Sequence, residues 1–249
     1  MIETMKKEDF FKRIATIIIS ILSVISGGLL FLYANGFSGV HPDKKVKRGQ
    51  KKVACVGDSI TYGYGVSHWA KNNYPTVLNG LLGENYHVGN FGVSGSCVQT
   101  TGSEPYAATD VYQQSIAYEA DILVFMIGSN DSKPENWQGI EAFRAHYLKL
   151  LDSYLQGKKK PKVYLGTPAK AYYMNGILSG VANFDIQPET VDEIVECVRE
   201  IAKERGYSVI EIHELTKEHP EWFKIDGIHP NADGAAGIAK AVNRVLAQK

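Results

Sequence analysis

Five short, nearly unbroken apolar runs constrain this chain most: KVACVG (52–57), YHVGNFG (86–92), DILVFMIG (121–128), KVYLGT (162–167) and YSVIEI (207–212). Runs of this length without a polar alternate fit strands buried on both faces of a parallel sheet. Parallel strands need long crossovers, and the intervening segments have helical length. FRAHYLKLLDSYL (143–155) sets Phe143, Tyr147, Leu150, Leu151 and Tyr154 on one helical face. ETVDEIVECVREIAKE (189–204) does the same with Val191, Ile194, Val195, Val198 and Ile201, and GAAGIAKAVNRVLAQ (234–248) closes the chain. The pattern predicts an α/β fold over residues 51–249, a three-layer α/β/α sandwich around a five-stranded parallel sheet. In such open sheets ligands sit outside the carboxyl ends of the strands, so functional residues are expected just after each run.

The amino terminus follows a different rule. From Ile14 to Ala34 there is no charge over 21 residues, which at about 1.5 Å per residue spans a bilayer core of about 30 Å. The run exceeds the roughly 7–15 apolar residues of a cleaved signal peptide, so residues 14–34 are read as a transmembrane anchor or uncleaved signal behind a short tail, 1–13. Lys6, Lys7, Lys12 and Arg13 precede it closely, whereas Lys44, Lys45, Lys47 and Arg48 follow a polar gap. That asymmetry places the amino terminus inside and the folded domain outside, and release of the domain follows if the segment is cleaved. Residues 35–50, polar with Gly and Pro, read as a linker. Twenty-seven basic residues balance twenty-seven acidic ones, which argues against a nucleic-acid partner. Cys55, Cys97 and Cys197 show no metal spacing and leave at least one thiol unpaired within the chain.

Four post-strand segments carry chemistry. After the first run, Gly57-Asp58-Ser59-Ile60 puts a hydroxyl at a strand end, where a following turn aims backbone N–H groups at it. A Gly-Asp-Ser turn is also ordinary punctuation, and Gly63-Tyr64-Gly65-Val66-Ser67-His68 fails a phosphate-binding G-x-G-x-x-G at its last position. Near the end, Asp226-Gly227-Ile228-His229 spaces a carboxylate three residues before an imidazole, so the acid accepts from one ring nitrogen while the other faces a nucleophile. The order Ser59, Asp226, His229 matches α/β-hydrolases, but no G-x-S-x-G elbow occurs. Asn90-Phe91-Gly92-Val93-Ser94-Gly95 offers the Gly95 backbone N–H, and Gly128-Ser129-Asn130-Asp131 offers the Asn130 amide, as donors to a developing oxyanion.

Together, GDSI (57–60), NFGVSG (90–95), GSND (128–131) and DGIH (226–229) resemble the four signature blocks of the SGNH, or GDSL-type, hydrolases, in the family's order and over nearly the whole domain. Ile60 stands where the name-giving motif has leucine. The resemblance implies a flavodoxin-like sandwich, with Ser59 as nucleophile, His229 as general base and Asp226 as its orienting partner. It also implies an oxyanion hole from the Ser59 and Gly95 backbone N–H groups and the Asn130 side chain, and it calls for neither metal nor cofactor. GSNDSKPENW (128–137), NFGVSG and Pro105-Tyr106 look most like the bacterial carbohydrate O-acetylesterases, so the expected partner is an acetylated carbohydrate or other small ester. Trp137 is the first candidate for a sugar-stacking wall, with Trp69, Tyr172, Tyr173 and Trp222 behind it, and 168–187 is expected at the pocket rim. A membrane-anchored glycan O-acetyltransferase, a lysophospholipase or thioesterase of the same family, and a non-catalytic glycan-binding domain are the alternative readings. The oligomeric state is not legible in the sequence.

Overall fold

The computed structural model describes residues 2–34, 45–173 and 184–248. Most of the expected linker, and residues 174–183 of the expected rim, lie outside them. Helix α1 (Ile2–Ala34) contains Arg13–Leu32, a 20-residue stretch of mean hydropathy 2.4, long and apolar enough to cross a membrane or to serve as a signal sequence. The side chains of this stretch, such as Leu30 at 67% exposure, are not buried in the protein.

The domain follows in alternating order: β1 (Lys51–Gly57), α2 (Ser59–Tyr62), α3 (Trp69–Asn72), α4 (Tyr74–Leu82), β2 (Tyr86–Gly92), α5 (Asp110–Ala117), β3 (Ile122–Met126), α6 (Ile140–Ser153), β4 (Lys162–Gly166), α7 (Pro188–Arg205), β5 (Ser208–Ile210), α8 (Ile212–Lys217) and α9 (Ala232–Ala247). All five strands are parallel, in the order β2-β1-β3-β4-β5. Each lies within two residues of its expected bounds. The largest departures are β3 and β5, each of which starts one residue late and ends two early; at β5 the cause is a turn. Thr167 takes the Ile210 carbonyl as its backbone acceptor and receives the His213 N–H on its hydroxyl, so the chain turns into α8 at Ile212.

Alternation along the strands divides the core in two. Ala54, Val56, Leu123, Phe125 and Leu165 point to one face, where Phe143, Tyr147 and Leu151 of α6 and Ile194, Val198 and Ile201 of α7 cover them. Val53, Cys55, Val124, Met126 and Tyr164 point to the other, under Tyr74 and Leu78 of α4 and Ile238, Ala239 and Val242 of α9. The sandwich therefore has the three expected layers.

The chain passes from β1 outward to β2 and then crosses back to β3 on the other side of β1. This reversal opens a crevice at the carboxyl ends, and the loops leaving β1, β2 and β3 meet there. Gly57 is level with Gly92 and with Met126, so the three loops start at one height. Helix α2 settles directly on the end of β2: a Cβ on Gly92 would lie 2.0 Å from the Tyr62 nitrogen and 2.6 Å from the Thr61 carbonyl carbon. Gly92→Ala is expected to destabilise the domain by about 3 kcal/mol or more, because backbone must move to admit the methyl group. Gly80→Ala on α4, where a Cβ meets nothing within 4 Å, should be neutral or stabilise by about 0.5–1 kcal/mol. Urea unfolding midpoints of the two variants would check the contrast, and equal midpoints would contradict the contact.

Candidate active site

Ser59 is the first residue of α2. Asp58 caps the helix, its carboxylate accepting from the Ile60 N–H at 2.9 Å, which fixes the turn out of β1. As the first helical residue, Ser59 has no intrahelical acceptor for its own N–H. The residue is 7% exposed and its Oγ lies 2.9 Å from His229 Nε2.

His229 arrives from the loop between α8 and α9. The Asp226 carboxylate is held by two backbone donors, Ile228 at 2.9 Å and His229 at 2.8 Å, through Oδ1. Its Oδ2 lies 2.9 Å from His229 Nδ1. Burial raises the Asp226 pKa, but the imidazole and these two N–H groups outweigh it and hold the acid below the usual carboxylate range. An ionised acid on Nδ1 selects the tautomer whose Nε2 accepts a proton from Ser59. Lys224, one turn earlier, donates its ammonium to the Gly65 carbonyl at 2.8 Å and its backbone N–H to the His229 carbonyl at 2.9 Å. It clips the histidine loop to the chain that follows Ser59.

The other two blocks close the opposite wall. Gly95 has φ +83°, a left-handed conformation that glycine adopts without strain. Asn130 donates one amide N–H to the Ser96 carbonyl at 3.1 Å, tying the loop after β2 to the loop after β3. An amide nitrogen carries a second N–H, and Asn130 lines the cleft with Gly95 and Ser59. Asp131, fully buried, reinforces the tie by accepting from the Val98 and Gln99 N–H groups at 3.0–3.1 Å. Asn136, also buried, donates to the Asn130 carbonyl and accepts from the Ser103 N–H.

The cleft over Ser59 has a volume of about 220 Å³. The structure brings Ser59, His229, Gly95 and Asn130 to its lining, with Asp226 behind His229. Trp137 is not on the lining. It packs against the core on the α6 side, because the buried Asn136 turns the chain inward just before it. Trp69 is fully buried with its indole N–H on the Tyr62 carbonyl, Tyr172 packs on Phe223, and Trp222 stacks on His219. The aromatic side chains that do line the cleft are Tyr64 and Phe184, joined by Ile186, Ile228 and Lys133. Phe184 and Ile186 belong to the expected rim. No periodicity marked them, and only the length of their segment hinted at the rim. A larger cleft of about 380 Å³ lies beside edge strand β2. There Asn73, Asn79 and Asn90 are engaged in holding backbone groups, and neither a serine nor a cysteine is among the described lining residues.

Burial pushes the Asp131 carboxyl up to about 7, against its two N–H donors and with the negative charge of Asp58 adding to the rise. In an unfolded chain the same group titrates near about 3.9. Between about pH 4 and 7 the folded state therefore binds more protons, and this group makes stability fall as pH rises through that window. Asp131→Asn removes the titration. Its stability relative to the native chain should climb from pH 4 to pH 7 in urea unfolding, and a difference that stays flat would count against the shift.

The model of the GDSL-like lipase/acylhydrolase family matches residues 55–236. An acetylxylan esterase of Xylanibacter ruminicola is 34% identical over 209 residues, covering 77% of this chain. The chain spans only 42% of that relative's length. Among solved structures, a carbohydrate acetylesterase from Sinorhizobium meliloti superposes with a TM-score of 0.67 at 20% identity, over 80% of this chain and 99% of its own. The aryl esterase of M. smegmatis gives 0.64 at 16% identity, over 79% and 98%. These structural likenesses speak for the fold, and the family match covers most of the domain and all four sequence blocks. The chain belongs to the GDSL-like lipase/acylhydrolase family.

Proposed function

We propose that this protein is a serine esterase that removes acetyl or other short acyl groups from carbohydrate. The observation that carries the proposal is the unbroken hydrogen-bonded line from Ser59 Oγ through His229 to Asp226, opening on a cleft whose far wall holds Gly95 and Asn130. The small cleft volume supports a short acyl group. The acetylxylan esterase relative supports a carbohydrate ester.

In this reading Ser59 Oγ attacks the ester carbonyl carbon while its proton passes to His229 Nε2. The carbonyl π electrons move onto oxygen, where the Ser59 and Gly95 N–H groups and the Asn130 amide receive the charge. Collapse breaks the bond to the alcohol, whose oxygen takes the proton from the imidazolium, and an acyl-Ser59 ester remains. Water then attacks that ester, giving a proton to His229, and the second collapse returns the proton to Ser59 and releases the acid. Asp226 stays ionised throughout and stabilises the imidazolium. We also propose that α1 anchors the domain to a membrane, with the basic residues at 6, 7, 12 and 13 on the inner side. The length and apolar character of Arg13–Leu32 support this.

Acetate release from acetylated xylan, with Ser59→Ala as the blank, tests the function directly, and release that survives in the blank would remove Ser59 as nucleophile. Ser59→Ala and His229→Ala should each lower kcat by about 10⁴–10⁶, and Asp226→Ala by less. Asn130→Ala should lower kcat by about 10²–10³ with little change in KM, since an oxyanion donor acts in the transition state. Steady-state kinetics on a soluble acetate ester separate these outcomes.

A further inference from the structure

The reaction step fixes which side of the cleft receives the departing alcohol. The carbonyl oxygen turns toward Gly95 and Asn130, whereas the alcohol oxygen must reach His229 Nε2 to collect its proton. Whatever is bonded to that oxygen lies beside the groups that surround the imidazole. Among the described residues, two aromatic rings pack on it. Tyr64 sits 4.8 Å from the His229 ring centre, tilted by 48°, and Phe184 sits 5.2 Å from it, edge-on at 85°. The two meet each other at 6.2 Å and 88°, forming a corner. Both line the cleft.

The corner is built rather than incidental. Phe184 and Asp185 adopt φ of +56° and +58°, left-handed values that Asp takes readily and that a bulky aromatic residue rarely takes unless its surroundings impose them. Three ties impose them here. The Gln187 side chain donates to the Asp185 carbonyl at 2.9 Å, the Gln187 N–H donates to Ser132 Oγ at 3.1 Å, and Ile186 is buried with Val191, Val195 and Ile228 in a small core of its own. The turn is thus fastened to the loop after β3 and to the histidine loop together. Phe184 nevertheless stays 41% exposed. A ring that served only to cap the core would be covered, whereas this one is held by a strained turn with part of its surface open at the mouth of the cleft.

We infer that Tyr64 and Phe184 form the alcohol subsite, an aromatic corner that receives the apolar C–H face of a pyranose ring whose ester oxygen points at His229. The inference rests on the esterase reading above and adds where the sugar binds and what selects it. Flat aromatic surface matches the C–H face of a sugar, leaving its hydroxyl edges in water. The acyl group lies on the other side of the scissile bond, away from the corner, so acyl length and alcohol identity are read by different walls.

The test compares the native chain with its Phe184→Ala and Phe184→Tyr variants on three esters: an acetylated xylo-oligosaccharide, ethyl acetate and ethyl butyrate. The first two share the acyl group and differ in alcohol, and the last two share the alcohol and differ in acyl group. In Phe184→Ala the ratio of kcat/KM for the sugar ester over ethyl acetate should fall about tenfold, mostly through KM, since a lost aromatic contact is worth about that factor. Phe184→Tyr should restore the ratio, and the butyrate-to-acetate ratio should stay put in both variants. Equal losses on all three esters would show that the ring only positions His229 and would overturn the subsite. A change confined to the butyrate-to-acetate ratio would place the corner on the acyl side and overturn it as well. Turnover of ethyl acetate without turnover of the sugar ester by the native chain would remove the sugar. Inactivity of the native chain on every ester would overturn the esterase reading, and this inference with it.

Discussion

The site depends on one close approach of backbone to backbone. Helix α2 starts immediately after β1 and rests on the last residue of β2, with Gly92 leaving room for Thr61 and Tyr62. That contact lets the turn carrying Ser59 lie flat across the crevice where the strand order reverses, within reach of the loops after β2 and β3. Asp58 then locks the turn from below by capping α2. The geometry of the candidate site is a property of the sheet edge before it is a property of any side chain. A wider separation between α2 and β2 would carry Ser59 away from its imidazole even with every signature residue in place.

Three aspartates then divide the electrostatic work according to their surroundings. Asp226 is partly solvated and faces the imidazole, so it is held ionised. Asp58 and Asp131 lie in the interior, where burial raises both pKa values. Both accept from backbone N–H groups of the loops they stiffen. The same residue type therefore acts as a charge partner at the surface of the cleft and as backbone scaffolding below it. What separates the roles is access to water.

Much of this was legible in the sequence, and the failures share a physical cause. The strands stood out because burial on both faces gives unbroken apolar runs, and Ser59, Asp226, His229, Gly95 and Asn130 stood out because each lies in a short local block. The end of β5 was misread because Ile212 is buried in a helix as deeply as it would be in a strand, and an apolar run does not tell the two apart. Trp137 was misplaced because whether a loop aromatic faces out or in is decided by Asn136, whose partners at 103 and 130 lie elsewhere in the chain. Tyr64 and Phe184 were missed for the complementary reason. Their contact with His229 joins three segments far apart in sequence, and the left-handed turn that presents Phe184 is marked by a lone Asp185 and by no glycine. Lys224 belongs to the same class, since its carbonyl partner at Gly65 is 159 positions away. Local chemistry is written in short blocks, whereas the walls of a pocket are set by long-range packing.

The hydrogen bond between Ser59 and His229 spans 170 positions. The proposed nucleophile is therefore among the first residues of the domain to leave the ribosome and its proposed base among the last. At about 5–20 residues per second that interval lasts on the order of ten to thirty seconds. In the esterase reading proposed above, the growing chain carries throughout it a serine without the His229 imidazole to take its proton, so the signature blocks confer no reactivity on a partly made protein. The line from Ser59 to Asp226 is complete only when the loop before α9 lies against α2 and α9 packs beside α4. The separation acts as a safeguard in time, making the chemistry contingent on a finished fold.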